Sequence, residues 1–270
     1  MSYFALEDRR LFHTLEGHGE EMLLLVHGGM SDSHDWTFQA GPLTARHRVL
    51  MVDLEGHGRS TEAPAGHGPS DHAADLALLL QHLDAGPVTV VGHSYGALVA
   101  SILAVEHPQA IRAVVAVDPA WGFSPEAAAE TARTFRVPDP VTVGVAVLSQ
   151  LGSTGPVGTA SRLGEWRCRR ALGMSAAVTS GVFLGIFDTE AEKTVRGRAE
   201  EYLLRRDCPV LTVSAAASLE AKGIDATWDA TVSRHPYSRS VVWPDVGHWL
   251  FQDRPDEFTD LLVDWIKDLP

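Results

Sequence analysis

Cysteine is scarce: Cys168 and Cys208 are the only two in 270 residues. Their spacing matches no metal-ligand pattern, so two free thiols in a reducing compartment are expected in place of a disulfide framework. Positive charge is also short. Against 35 Asp and Glu stand 22 Lys and Arg, a formal net charge of −13, which repels phosphates and argues against a nucleic-acid partner. No uncharged apolar run approaches the ~20 residues of a membrane span. The longest, around Val141–Leu148, suits a buried segment or a helix. The opening residues hold no basic region followed by a long apolar stretch, so no secretory signal is expected and the location is taken as cytoplasmic. There is no internal repeat, phosphate loop, cofactor motif or metal constellation, and the expected chemistry is cofactor-free.

What is there reads as a globular αβ chain, 45% apolar and 21% charged, able to bury a large core. Short apolar runs, Met22–Val26, Val49–Asp53, Val88–Val91 and Ala113–Val117, alternate with segments of helical spacing, Asp71–Leu83 and Tyr95–Glu106. Such strands between helices mark a parallel sheet covered on both faces. The rhythm breaks from Pro119 to about Arg206, where helical stretches are interrupted by the Gly/Ser/Pro-rich Gly152–Gly158. It resumes at Pro209–Val213 and Ser240–Trp243, and a helix over Pro255–Lys267 closes the chain. The expected organisation is one core of residues 1–118 and 207–270 with a helical insertion over 119–206.

Gly92-His93-Ser94-Tyr95-Gly96 lies between the strand Val88–Val91 and the following helix. It matches G-x-S-x-G, the nucleophile elbow. A turn this tight needs glycine or small flanking residues. It also delivers the serine to a helix N-terminus, where unpaired N–H groups and the dipole favour developing negative charge. Two further glycine-histidine segments follow strands. His27-Gly28-Gly29-Met30 comes after the first, and Asp245-Val246-Gly247-His248-Trp249 after the last.

In this order, HGG, VDLEGHGRS, GHSYG and the late GH, the chain resembles the α/β-hydrolase superfamily over nearly its whole length. The resemblance implies a mostly parallel central sheet flanked by helices, with the insertion folded as a cap. It makes Ser94 the nucleophile and His248 its base. It also places the oxyanion hole on the N–H groups of Gly29 and Tyr95. Asp53 to Ser60 is similar to the family's D-x-x-G-x-G-x-S loop, which is structural, so His57 reads as scaffold; His93, beside the nucleophile, is not the base either.

One position departs from the family. The acid that usually follows the strand Pro209–Val213 is missing, and Ser218 stands in its place within Ser214-Ala215-Ala216-Ala217-Ser218. A triad requires a buried acceptor on the second imidazole nitrogen. Asp118, at the end of the strand Ala113–Val117, is the first choice. Glu220 is the second, followed by Asp225, Asp229 or Asp245. Some superfamily members carry their acid at the Asp118 position, among them hydrolases that open resorcylic macrolactones such as zearalenone.

Most of the insertion's large side chains, Phe135, Met174, Phe183, Leu184 and Phe187 among them, read as packing within the cap. Trp121 and Phe123, close behind Asp118, are expected to line the substrate pocket, with Met30 and Trp166 as further candidates. Arg167-Cys168-Arg169-Arg170 reads as a solvated helix face rather than an anion site.

The expected activity is hydrolysis of an apolar carboxylic ester or lactone through an acyl-enzyme. A C–C bond hydrolase or lyase on the same machinery is an alternative. It would want a pocket lysine, and Lys193 and Lys222 are the mid-chain ones, neither in a recognisable context. A slow-turnover receptor is a third reading. The expected partner is a small molecule, and a homodimer is left open.

Overall fold

The computed structural model describes residues 2–152 and 159–270; of the Gly/Ser/Pro-rich stretch Gly152–Gly158, all but Gly152 lie outside the described residues. The chain builds an eight-stranded sheet in the order β1-β2-β4-β3-β5-β6-β7-β8. β1 (Ser2–Ala5) and β2 (Arg10–Glu16) form an antiparallel edge. β3 (Met22–Val26), β4 (Arg48–Val52), β5 (Val88–His93), β6 (Ile111–Val117), β7 (Val210–Ala215) and β8 (Arg239–Trp243) are parallel. The edge pair is absent from the sequence expectation. β1 is only four residues long, Ser-Tyr-Phe-Ala, and mostly exposed, too short to show the apolar run by which the central strands are recognised.

The parallel strands from β3 to β7 are buried on both faces because helices cover both. α1 (Thr37–Thr44) follows β3, α2 (Pro69–His82) follows β4, and α3 (Tyr95–Glu106) follows β5. Every residue of α3 from Tyr95 to Val105 is buried, which is why its sequence is apolar all round and shows no helical stripe.

Between β6 and β7 the chain runs through α4 (Pro125–Phe135), α5 (Pro140–Gln150), α6 (Thr159–Ala171), α7 (Ala176–Leu184) and α8 (Ala199–Leu203). Their starts follow local rules. Ser124, Asp139 and Ser175 each accept a hydrogen bond from a first-turn backbone N–H, and Pro125 and Pro140 occupy first helical positions. α7 passes into a π-helical turn, Gly185–Thr189. After β7 come α9 (Ala216–Lys222) and α10 (Ala226–Val232), and after β8 α11 (Leu250–Asp253) and α12 (Pro255–Lys267). α12 buries Phe258, Leu262, Trp265 and Ile266 against the sheet, a helical stripe worth about 1.5–3 kcal/mol for each large apolar side chain.

Arg170 of α6 ties the insertion to the core. It donates to Ser31 Oγ at 2.6 Å and Asp35 Oδ1 at 2.7 Å, and pairs with Asp32 Oδ1 at 3.1 Å. Arg167 lies over the Trp249 ring, 4.1 Å from its centroid, and donates to Gln252. The expectation of a solvated face for Arg167–Arg170 is therefore wrong for two of its three arginines. Only Arg169 lies on the exposed side, paired with Glu165. The acidic partners lie more than 130 residues away in the chain, so local composition gave no sign of them.

Candidate active site

The turn after β5 is narrow for a steric reason. A Cβ on Gly92 would collide with the Gly96 carbonyl, and one on Gly96 would collide with the Val26 and His27 carbonyls. Between them Ser94 is held at φ 53° and ψ −114°, a conformation costing of order 1–3 kcal/mol. Its N–H donates to Val117 O at 2.8 Å, locking the turn onto the end of β6. α3 begins at the next residue, so the serine sits at the positive end of a buried twelve-residue helix.

β6 delivers Asp118 to the same edge of the sheet. Its N–H donates to Val213 O at 2.7 Å, and its φ is 41°, a left-handed conformation that Asp tolerates better than most residues. The carboxylate receives three donors. Ala215 N–H reaches Oδ1 at 3.0 Å, while Ser218 Oγ–H and His248 Nδ1–H reach Oδ2 at 2.6 and 2.5 Å. Burial pushes this carboxyl up, but the hydrogen bond and charge of His248, the Lys222 ammonium and the Ser218 hydroxyl outweigh it and hold it at about 2. Asp118 is thus an ionised, fully buried acceptor on the second nitrogen of His248. The alanine-rich stretch where relatives place an acid supplies donors to that acceptor instead.

Three other histidines are scaffold. His93 Nε2–H donates to the His248 carbonyl at 2.9 Å, fixing the backbone of the loop after β8; burial and the neighbouring His248 push its own pKa down to about 3. His27 and His57 staple two loops to each other. Leu54 N–H donates to His27 Nε2 at 3.0 Å, and Met30 N–H to His57 Nε2 at 3.3 Å. Burial pushes the pKa of both imidazoles down. The staple holds Gly28 and Gly29 against the nucleophile turn. A Cβ on Gly28 would lie 3.5 Å from Ser94 Cβ, and one on Gly29 would lie 3.6 Å from Tyr95 Cβ. Gly28 therefore lies against Ser94 and Gly29 against Tyr95.

Ser94, Asp118 and His248 open onto one cavity of about 200 Å³ beneath the insertion. Its walls are apolar, built by Phe123, Val147, Leu151, Phe183, Ile186 and Phe187. Phe183 stacks on Phe135 with centroids 4.0 Å apart, and Phe187 meets Phe123 edge-on at 4.8 Å. Phe183 and Phe187, read from sequence as cap packing, are both packing and wall.

The sequence pattern that describes the α/β hydrolase fold matches residues 21–144. The structure also superposes on solved hydrolase structures; the enol-lactonase of Burkholderia xenovorans LB400 covers 99% of this chain and 100% of its own, with a TM-score of 0.81 at 21% identity. The chain has the α/β-hydrolase fold. Among relatives by sequence, the pimeloyl-[acyl-carrier protein] methyl ester esterase of Yersinia enterocolitica is 26% identical over 96% of this chain and 98% of its own. A component of the acetoin cleaving system of Cupriavidus necator, a dihydrolipoyllysine-residue acetyltransferase, is 36% identical over 41% of this chain but only 29% of that protein. The chain thus matches about a third or less of the length of that larger relative.

Within this site several sequence expectations need correction. Trp121 is buried but turned away from the cavity, with its indole N–H 3.5 Å from Asp229 Oδ1 and Arg206 over its ring at 5.2 Å. Met30 is buried against Gly144 of α5 rather than on the wall. Trp166 is 36% exposed on α6 beneath Arg170. Nearness in sequence, such as that of Trp121 to Asp118, fixes Cα position but not side-chain direction. Phe123 does line the cavity. Of the alternative acids, Glu220 is exposed on α9, Asp225 caps α10 through Thr227, and Asp229 faces Trp121 and Ser240. Asp245 lies in the loop after β8 with φ 57°, and the Nδ1 of His248 is taken by Asp118. Lys222, named from sequence only as a mid-chain lysine without a recognisable context, is the last residue of α9 and lies on the cavity wall.

Proposed function

We propose that this α/β-hydrolase cleaves a carboxylic ester or lactone with an apolar portion, through a Ser94–His248–Asp118 triad. The observation that carries the reading is the buried 2.5 Å contact between His248 Nδ1 and Asp118 Oδ2 on the cavity that Ser94 shares. His248 removes the Ser94 proton as the oxygen attacks the carbonyl. Asp118 holds the imidazole in the tautomer that leaves Nε2 as acceptor and stabilises the imidazolium that follows. The Gly29 and Tyr95 N–H groups receive the oxyanion, His248 protonates the departing alkoxide, and water repeats the cycle to release the acid. The insertion α4–α8 acts as a cap whose apolar wall binds the non-reacting part of the substrate and excludes water.

The esterase and enol-lactonase named above support the reaction class. The test is turnover of p-nitrophenyl esters of graded acyl length and of a lactone panel by the wild type and Ser94→Ala. Hydrolysis is expected to fall at least a thousandfold in the variant. Equal rates in the two proteins would remove Ser94 from the mechanism.

A further inference from the structure

We infer that Lys222 is the anchor for a carboxylate carried by the substrate, so that this site takes esters or lactones bearing one free acid group. The inference rests on the hydrolase reading for the word substrate. Its structural basis is separate.

The cavity wall is apolar except at Ser94, Asp118 and His248, at Ser218, whose hydroxyl is given to Asp118, and at Lys222. Of the charged groups there, Asp118 is fully used, its two oxygens accepting from Ala215, Ser218 and His248. Lys222 is not. Its Nζ donates to Pro119 O at 2.7 Å, and among the described residues this is the one hydrogen bond the ammonium makes. Asp118 and Asp229 act on it through space without accepting a hydrogen bond from it. Three N–H donors with one acceptor leave two for a ligand. The stem passes Phe123, with Nζ 5.5 Å from the ring centroid, so an aromatic wall and the Pro119 carbonyl hold the ammonium at the cavity.

An ammonium left on an apolar wall without a carboxylate partner is costly. Burial lowers its pKa, and the fields of Asp118 and Asp229 oppose that change and favour the charged form. The group that complements it is a compact anion with two acceptor oxygens, reached from a substrate whose apolar body lies along Phe123 and Phe187 and whose carbonyl lies at Ser94. A carboxylate a few bonds from the scissile ester meets this description. A purely structural Lys222 would serve only to brace Pro119, and the experiment separates the two roles.

Binding to Ser94→Ala protein is measured by calorimetry for 4-phenylbutyrate and for its neutral amide. The acid is expected to bind at least tenfold tighter than the amide. Lys222→Met should remove that preference and Lys222→Arg should keep it. In wild type, the ratio of kcat/KM for mono-p-nitrophenyl glutarate over p-nitrophenyl valerate should exceed one and fall at least tenfold in Lys222→Met, mainly through KM. Each ratio is taken within one protein, so a general loss of folded enzyme cancels. Equal binding of acid and amide to Ser94→Ala overturns the inference without recourse to any lysine variant, as does an unchanged ratio in a folded Lys222→Met. Absence of turnover on every ester, with the binding preference intact, would instead count against the hydrolase reading alone.

Discussion

Asp118 combines a left-handed backbone with three donors on one carboxylate, so each part of its environment can be removed separately. Asp118→Asn keeps the shape and tolerates the same φ, but presents an amide where His248 needs an acceptor. The expected result is a kcat lower by roughly 10³–10⁴, with the thermal midpoint nearly unchanged, checked by steady-state kinetics beside a melting curve. Near-normal turnover would return the search for the acid to the loops after β7 and β8. Ser218→Ala removes one donor and leaves the other two. It should lower kcat by no more than about a hundredfold, as expected for loss of one hydrogen bond to a charged group at about 1.5–3 kcal/mol. Ser94 and His248 could be named from motif and order because short-range rules surround them: a strand, a glycine-flanked turn, a helix. Asp118 could be ranked first but not assigned from one dimension. Its partner lies 130 residues away, and the residue that stands in the missing acid's place, Ser218, turns out to be one of its donors.

Among the elements, α6 depends most on contacts that sequence does not announce. Arg170 meets Asp35, which is wholly buried, and Asp32 on the loop that continues from Gly29. Arg170→Met would leave the Asp35 charge buried with Ser31 but without its cation. The expected loss is about 3–5 kcal/mol, read from urea unfolding, with hydrogen exchange quickening in α6 and in residues 31–36 before the sheet. If the exchange in both segments is unchanged, Arg170 does not anchor the insertion. The sequence bounds of α3 and α12 match to the residue, since the glycine-flanked turn and Pro108 bound α3 and Pro255 opens α12. The edge strands β1 and β2 were not seen, because pairing with the sheet rather than local pattern makes them strands.

For the whole molecule, acid sensitivity follows from buried neutral imidazoles. His27, His57 and His93 are all pushed below the ordinary value of 6.5 by burial, His93 to about 3. Below pH 6.5 the unfolded chain binds protons that the folded chain refuses, so stability is full above that pH and declines as pH falls toward 3. Asp118, held at about 2 against an ordinary 3.8, adds a second decline as pH falls from about 4 through 2. Urea midpoints measured from pH 7.5 to 3.5 should be level above 6.5 and drop progressively below it. A flat profile down to pH 4 would mean that these histidines are accessible to protons in the folded state.

The sequence alone determined the central strands and the glycine-flanked turn that carries Ser94, because each is written in a contiguous stretch whose sterics or hydrophobic pattern admits one reading. Only the tertiary structure decided which carboxylate meets His248, which aromatic rings face the cavity and which turn away, and that Lys222 lies beside the triad. Those outcomes are set by side-chain direction and by contacts between segments distant in the chain. Length, spacing and composition carry neither.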